Sequence, residues 1–141
     1  METFKSLAHA RYSCHYHLVF VPKRRKKSLY GKIRECLKGV FHELARQRGS
    51  QIISGHMAQD HVHMCIAIPP KYAVAEVIGY LKGKSAIAVA RQFGGKKQNF
   101  SGEKLWARGY AVSTVGLEME KIKAYIAHQE KLESEEEAGK F

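Results

Sequence analysis

The sequence predicts an α+β fold, a βαββαβ (ferredoxin/RRM-like) antiparallel sheet backed by helices, with one more helix at the C-terminal end. Three observations predict it. Short runs rich in β-branched and aromatic residues alternate with longer segments in which apolar residues recur at helical spacing. Their order is strand, helix, strand, strand, helix, strand, helix. Neither an internal repeat nor a linker long enough to separate domains interrupts them, so residues 1–133 read as one domain followed by an acidic tail over 134–141.

The first strand is expected over Tyr12–Val21, which ends at Pro22. A dense basic loop follows, Lys23, Arg24, Arg25, Lys26 and Lys27. From Tyr30 to Arg48, Ile33, Leu37, Val40, Phe41 and Leu44 mark an amphipathic helix that Gly49-Ser50 ends. Gln51–Met57 and Asp60–Ile68 read as the next two strands, the latter closed by Pro69-Pro70. A second helix is expected over Ala73–Phe93 on Val77, Ile78, Leu81, Ile87 and Val89, loosened by Gly79 and Gly83. Gly94 to Lys97 is a basic loop, and Leu105–Val115 offers one or two short strands. The last helix spans about 117–133, with Glu118 and Glu120 in its first turn, where negative charge suits the helix dipole. Residues 133–141 are expected to be solvated.

Charge narrows the function. The chain has 141 residues and a formal net charge of +11, but five of its 13 acids lie in the last twelve residues. Residues 1–129 hold 22 basic and 8 acidic side chains, a net of +14. A basic body of this size suggests a polyanionic partner, most simply nucleic acid. No stretch approaches the ~20 apolar residues of a membrane span, and Met1–Ala10 lacks a signal-peptide core. Three scattered cysteines, Cys14, Cys36 and Cys65, support neither a disulfide framework nor a zinc ribbon, so a cytoplasmic protein with reduced thiols is expected.

The segment most informative about chemistry is Gln59-Asp60-His61-Val62-His63-Met64. Residues two apart on a strand share a face. His61 and His63 therefore project together and can grip a divalent cation, while Val62, Met64, Ile66 and Ile68 fit a core. His15-Tyr16-His17 has the same spacing. Asp60, the only aspartate, adjoins the first pair and could orient a histidine ligand, which tilts the choice to His61 and His63. His15 and His17 are assigned to a strand face turned to solvent or bound nucleic acid, and their replacement is expected to spare metal binding. On the last helix Tyr125 and Gln129, four apart, share the stripe of Ile122 and Leu132. The Gln129 amide could complete a metal site begun by two histidines. Tyr125, with a phenol that needs activation, would suit transesterification of a phosphodiester through a phosphotyrosine. Such an intermediate keeps the bond energy, and no Walker-type loop for ATP is present.

These residues resemble a known family. His61-Val62-His63 matches the HUH signature, and Tyr125-xxx-Gln129 matches its single-tyrosine branch, the single-strand DNA transposases of small insertion sequences. The His17-Leu18-Val19-Phe20 strand with its basic loop, and Trp106-Ala107-Arg108-Gly109-Tyr110 leading to Ser113-Thr114-Val115-Gly116, extend the resemblance over nearly the whole chain. Ala111 departs from the more aromatic stretch of many members.

The resemblance implies that the C-terminal helix is catalytic and that Mg²⁺ or Mn²⁺ is held by His61, His63 and Gln129. Tyr125 would cleave and rejoin single-stranded DNA through a 5′-phosphotyrosine, with subterminal hairpins recognised by basic surface. It also implies a homodimer with shared active sites and Gly116 as hinge. Domesticated hairpin-processing transposases share these motifs and are an alternative. A non-catalytic single-strand binder and a hydrolytic nuclease are others. Lys23 to Lys27, Lys82, Lys84, Arg91 and Arg108, with Lys96, Lys97 and Lys104, are expected phosphate contacts. Tyr72, Phe100 and Trp106 are candidates for base stacking, with core packing favoured for Trp106.

Overall fold

The structure is a computed structural model and describes residues 5–7, 10–12, 14–94, 105–114 and 138–141. A short N-terminal hairpin pairs β1 (Lys5–Leu7) with β2 (Ala10–Tyr12). The main body runs β3 (His15–Phe20), α1 (Gly31–Gln47), β4 (Gln51–Met57), β5 (Val62–Ala67), α2 (Val74–Phe93) and β6 (Ala111–Thr114). The four strands form one antiparallel sheet in the order β4-β5-β3-β6. This is the split βαβ arrangement that the element order predicts, with the first and third strands of the motif adjacent at its centre. Tyr12 ends the N-terminal hairpin rather than starting the central strand, and β5 begins at Val62 rather than Asp60.

Alternation builds the core. Leu18 and Phe20 of β3 and Val62, Met64 and Ile66 of β5 point to the helical side and are nearly or wholly buried. Leu37, Phe41 and Leu44 of α1 meet them, as do Val77, Ile78, Leu81 and Val89 of α2. Ile87 does not join this stripe and is 37% exposed. Two residues from both Ser85 and Val89, it falls on the opposite face of the helix from the buried stripe. Trp106 closes one end of the core. It is 5% exposed, its ring centroid lies 4.7 Å from that of Phe20, and its Nε1 donates to the buried Ser85 Oγ at 3.0 Å.

Residues 138–141 depart from the expected solvated tail. Lys140 bridges to His56, the Phe141 amide donates to the Gly55 carbonyl at 3.1 Å, and the Phe141 ring stands 5.7 Å from that of Phe41. A side chain at Gly55 would collide with the Phe141 ring, so glycine permits this approach. The acidic run before it, the boundary expected at 133/134 and the last helix lie outside the described residues.

Gly79 and Gly83 do not break α2, which continues through both. A Cβ at either would meet nothing within 4 Å among the described residues. Gly79→Ala or Gly83→Ala should therefore stabilise the domain by about 0.5–1 kcal/mol each through helix propensity. Urea unfolding midpoints, with an unchanged slope, provide the check.

Candidate metal centre and nucleic-acid interface

The turn between β4 and β5 is tight, with the Ala58 amide donating to the His61 carbonyl at 2.9 Å. Register then sets His56 opposite His63 and Met57 opposite Val62. On the other side of β5, Val19 stands opposite His63 and His17 opposite Cys65. Four imidazoles meet on the sheet face turned away from the core. The His61 and His63 rings stack with centroids 4.8 Å apart. His56 and His17 stand edge-on to His63 at 5.6 and 5.9 Å.

Asp60 holds the first histidine. Its Oδ1 is 2.8 Å from His61 Nδ1, and its Oδ2 accepts from Arg25 Nη2 at 3.2 Å. With Nδ1–H directed at a carboxylate, His61 presents Nε2 as its lone pair. Partial burial works to raise the Asp60 carboxyl. The hydrogen bond and charge of His61 and the charge of Arg25 overcome it and keep Asp60 below the ordinary carboxylate value. Burial first, then the neighbouring imidazoles His61, His56 and His17, push His63 down to about 4. His63 is thus neutral at physiological pH, as a metal ligand must be. Its Nδ1 is buried with no hydrogen-bond partner among the described residues, as is Nε2 of His17. Burial also lowers His17.

This donor set suits a divalent cation. Two imidazoles stand side by side, one kept neutral by burial and the other fixed by a carboxylate. Among the described residues no three His, Cys, Asp or Glu groups converge to hold a metal. Gln129 and Tyr125, the residues expected there, lie outside the described residues, as does Gly116.

His15 and His17 correct the expectation of a free strand face. His15 is 8% exposed, and His17 is half-buried against His63. His56 is a residue that sequence reasoning missed. A signal for it existed, since pairing 57 with 62 across a short hairpin puts 56 opposite 63. No comparable local signal places His17, whose partners on β5 are some 48 residues away.

The basic residues are partly gathered at the same end of the sheet. Lys23–Arg25 form a single 3₁₀ turn after Pro22, and Lys23 to Lys27 are all exposed. The Lys23 amide donates to the Leu105 carbonyl and the Ala107 amide to the Val21 carbonyl, both at 2.9 Å, which ties 105–107 to the chain leaving β3; Arg108, the next residue, is exposed. Lys84 instead lies 6.0 Å from the Tyr80 ring, and Arg91 is exposed in the last turn of α2. Lys82 departs from its expected role. Its ammonium donates to the carbonyls of Ala107 and Gly109 at 2.8 and 2.7 Å, so two of three donors hold the 105–110 segment and are not offered to phosphate. Burial accordingly lowers Lys82. Trp106 is buried and cannot stack a base, Tyr72 is half-buried beside Gly49, and Phe100, Lys96, Lys97 and Lys104 lie outside the described residues. Tyr110, 42% exposed, is an aromatic on this surface that sequence reasoning passed over.

A four-stranded α+β domain with paired histidines beside an exposed basic turn is the scaffold of a small DNA transposase. The chain belongs to the IS200-like transposases, whose family model matches residues 10–129. It is 42% identical over 125 residues to the transposase of insertion sequence element IS200 from Salmonella typhimurium, covering 89% of this chain and 82% of that one. Its fold matches a solved chain described as a transposase from Deinococcus radiodurans R1, with TM-score 0.69 and 28% identity over 89% of this chain and 96% of the other. A REP-associated tyrosine transposase solved with a REP hairpin shares the fold at TM-score 0.59 and 12% identity, over 86% and 69% of the two chains. No helix among the described residues is long and apolar enough to cross a membrane.

A pH dependence follows from His63. Its folded pKa is about 4, below the ordinary 6.5, so the unfolded chain binds more protons between these values. In metal-free protein this contribution to stability should be complete above about pH 6.5 and lost as pH falls toward 4. His63→Asn should flatten that part of a thermal-unfolding profile against pH.

Proposed function

We propose that this protein cleaves and rejoins single-stranded DNA at the ends of an insertion sequence, using a divalent cation, Mg²⁺ or Mn²⁺, and a 5′-phosphotyrosine on Tyr125. The observation that carries the reading is the stacked His61–His63 pair with Asp60 on His61 Nδ1. It supplies the metal half of the chemistry in a chain of the IS200-like family.

His61 and His63 would hold the ion together with Gln129. When bound, the ion supplies Lewis acidity at the scissile phosphate. Asp60 keeps His61 in the tautomer that offers Nε2, and burial keeps His63 unprotonated. Attack by the Tyr125 oxygen forms a P–O(Tyr) bond and breaks the P–O3′ bond. The phenolic proton is released, and the departing oxygen takes up a proton to become a free 3′-OH. The reverse attack by a 3′-OH restores a phosphodiester and the tyrosine, so joining consumes no nucleotide. The exposed turn Lys23–Lys27, with Arg108, binds phosphates of hairpin and single-stranded DNA with little sequence reading. The hairpin held by the REP-associated relative is in keeping with that substrate. The protein works as a homodimer in which Tyr125 of one subunit meets His61 and His63 of the other, with Gly116 as the hinge.

Tyr125→Phe should retain hairpin binding and form no covalent protein–DNA adduct with a single-stranded end substrate. An adduct persisting on a denaturing gel would overturn the assignment. His61→Ala or His63→Ala should each lower cleavage at least tenfold, read from product accumulation against Mn²⁺ concentration, whereas His15→Ala should leave the Mn²⁺ dependence unchanged.

A further inference from the structure

We propose that Arg25 is a positioning residue for the metal-binding histidines, a role distinct from the phosphate contacts of the basic turn. The inference rests on the reading of His61 and His63 as metal ligands. Three observations carry it. First, among the described residues Arg25 is the member of the basic run whose side chain pairs with an acid: its Nη2 reaches Asp60 Oδ2 at 3.2 Å, while the other carboxylate oxygen holds His61 Nδ1 at 2.8 Å. Guanidinium, carboxylate and imidazole thus form one chain in which the carboxylate is fixed from both sides.

Second, the backbone is shaped to deliver this side chain. Arg24 and Arg25 have φ of 61° and 50°, the left-handed region that side-chain-bearing residues rarely adopt. Such a conformation persists only where its surroundings impose it. Here the Arg25 amide donates to the Pro22 carbonyl at 2.9 Å, and the Lys23 amide is held by Leu105. Third, the basic segment is tied to the histidine strand at a second point, where the Leu29 amide donates to the Gln59 carbonyl at 3.0 Å, one residue before Asp60.

An exposed ion pair contributes little to stability, and Arg25 keeps 63% of its side-chain surface exposed. Its role is therefore directional. Without Arg25 the Asp60 carboxylate can rotate away from His61, and the imidazole loses the partner that sets its tautomer.

The sign of the effect on metal separates this role from simple charge. Removing a cation near a cation site should tighten metal binding through the lost Coulomb repulsion alone. Loss of positioning should weaken it. Titration of the DNA-free full-length protein with Mn²⁺, followed by the electron paramagnetic resonance of the free ion, reads the difference. Arg25→Ala is expected to weaken Mn²⁺ affinity about threefold to tenfold, less than the ~10–100-fold of a direct ligand partner such as Asp60. Arg25→Lys should restore part of it, and Lys27→Ala, which removes the same charge, should not weaken it. Arg25→Gly removes the guanidinium while accepting the positive φ, so it keeps the test valid if the alanine variant misfolds.

In metal-free protein the long-range ¹H–¹⁵N imidazole spectrum should show the Nδ1–H form of His61 in the parent and a mixture of tautomers in Arg25→Gly. Arg25 variants that bind Mn²⁺ as tightly as the parent, or tighter, would overturn the proposal, as would an unchanged His61 tautomer. A parent protein that binds no Mn²⁺ would instead refute the reading of the histidine pair as a metal site, and the tautomer measurement would still decide the role of Arg25.

Discussion

The antiparallel pairing of β3 with β5 at the centre of the sheet is the constraint on which the rest depends. With Phe20 opposite Val62 and Val19 opposite His63, each central strand gives one face to the core and the other to the imidazoles. A slip of one residue would drive His63 among Phe20, Phe41 and Trp106 and expose Val62 and Met64. The large aromatic and aliphatic side chains on the helical side therefore hold the register of the site by packing that never touches it. The same pairing places the end of β3 beside the start of β5. The chain leaving β3 is the basic turn, and the chain entering β5 carries Asp60. Their meeting is a product of topology.

Much of this was legible in the sequence because it depends on short-range periodicity. Alternation over Val62 to Ile66 separates histidine face from core face, and the apolar spacing in α1 and α2 marks both helices within a residue or two. What escaped depends on contacts remote in sequence. His17 looked like a solvent-facing duplicate of the His61–His63 spacing, because only cross-strand register reveals that it abuts His63. Lys82 looked like a phosphate contact because a sequence displays its charge and hides the two carbonyls, 25 and 27 residues away, that occupy it. Phe141 looked like the end of an acidic tail, and the glycine that admits its ring is in β4.

The histidine cluster also shows how a sheet face can tune a donor without charged residues of its own. Four imidazoles crowded together cannot all be protonated, and burial adds to their mutual repulsion. His63, which the other three adjoin, stays neutral at a cost to its basicity. His61, at the mouth of the hairpin, has a carboxylate instead. Two chemically identical side chains two residues apart are thereby kept ready by different means, one through exclusion of water and the other through a directed hydrogen bond.

Trp106 gives the molecule a built-in optical reporter. It is the sole tryptophan of the chain, so its emission is unmixed. Its indole is sealed against Phe20 and anchored on α2 through Ser85, while the next residues, Ala107 and Gly109, are gripped by Lys82. Any event that lifts the 105–110 segment off α2 admits water to the indole and shifts its fluorescence to longer wavelength. Release of that segment can thus be followed in unlabelled protein, in real time and at low concentration.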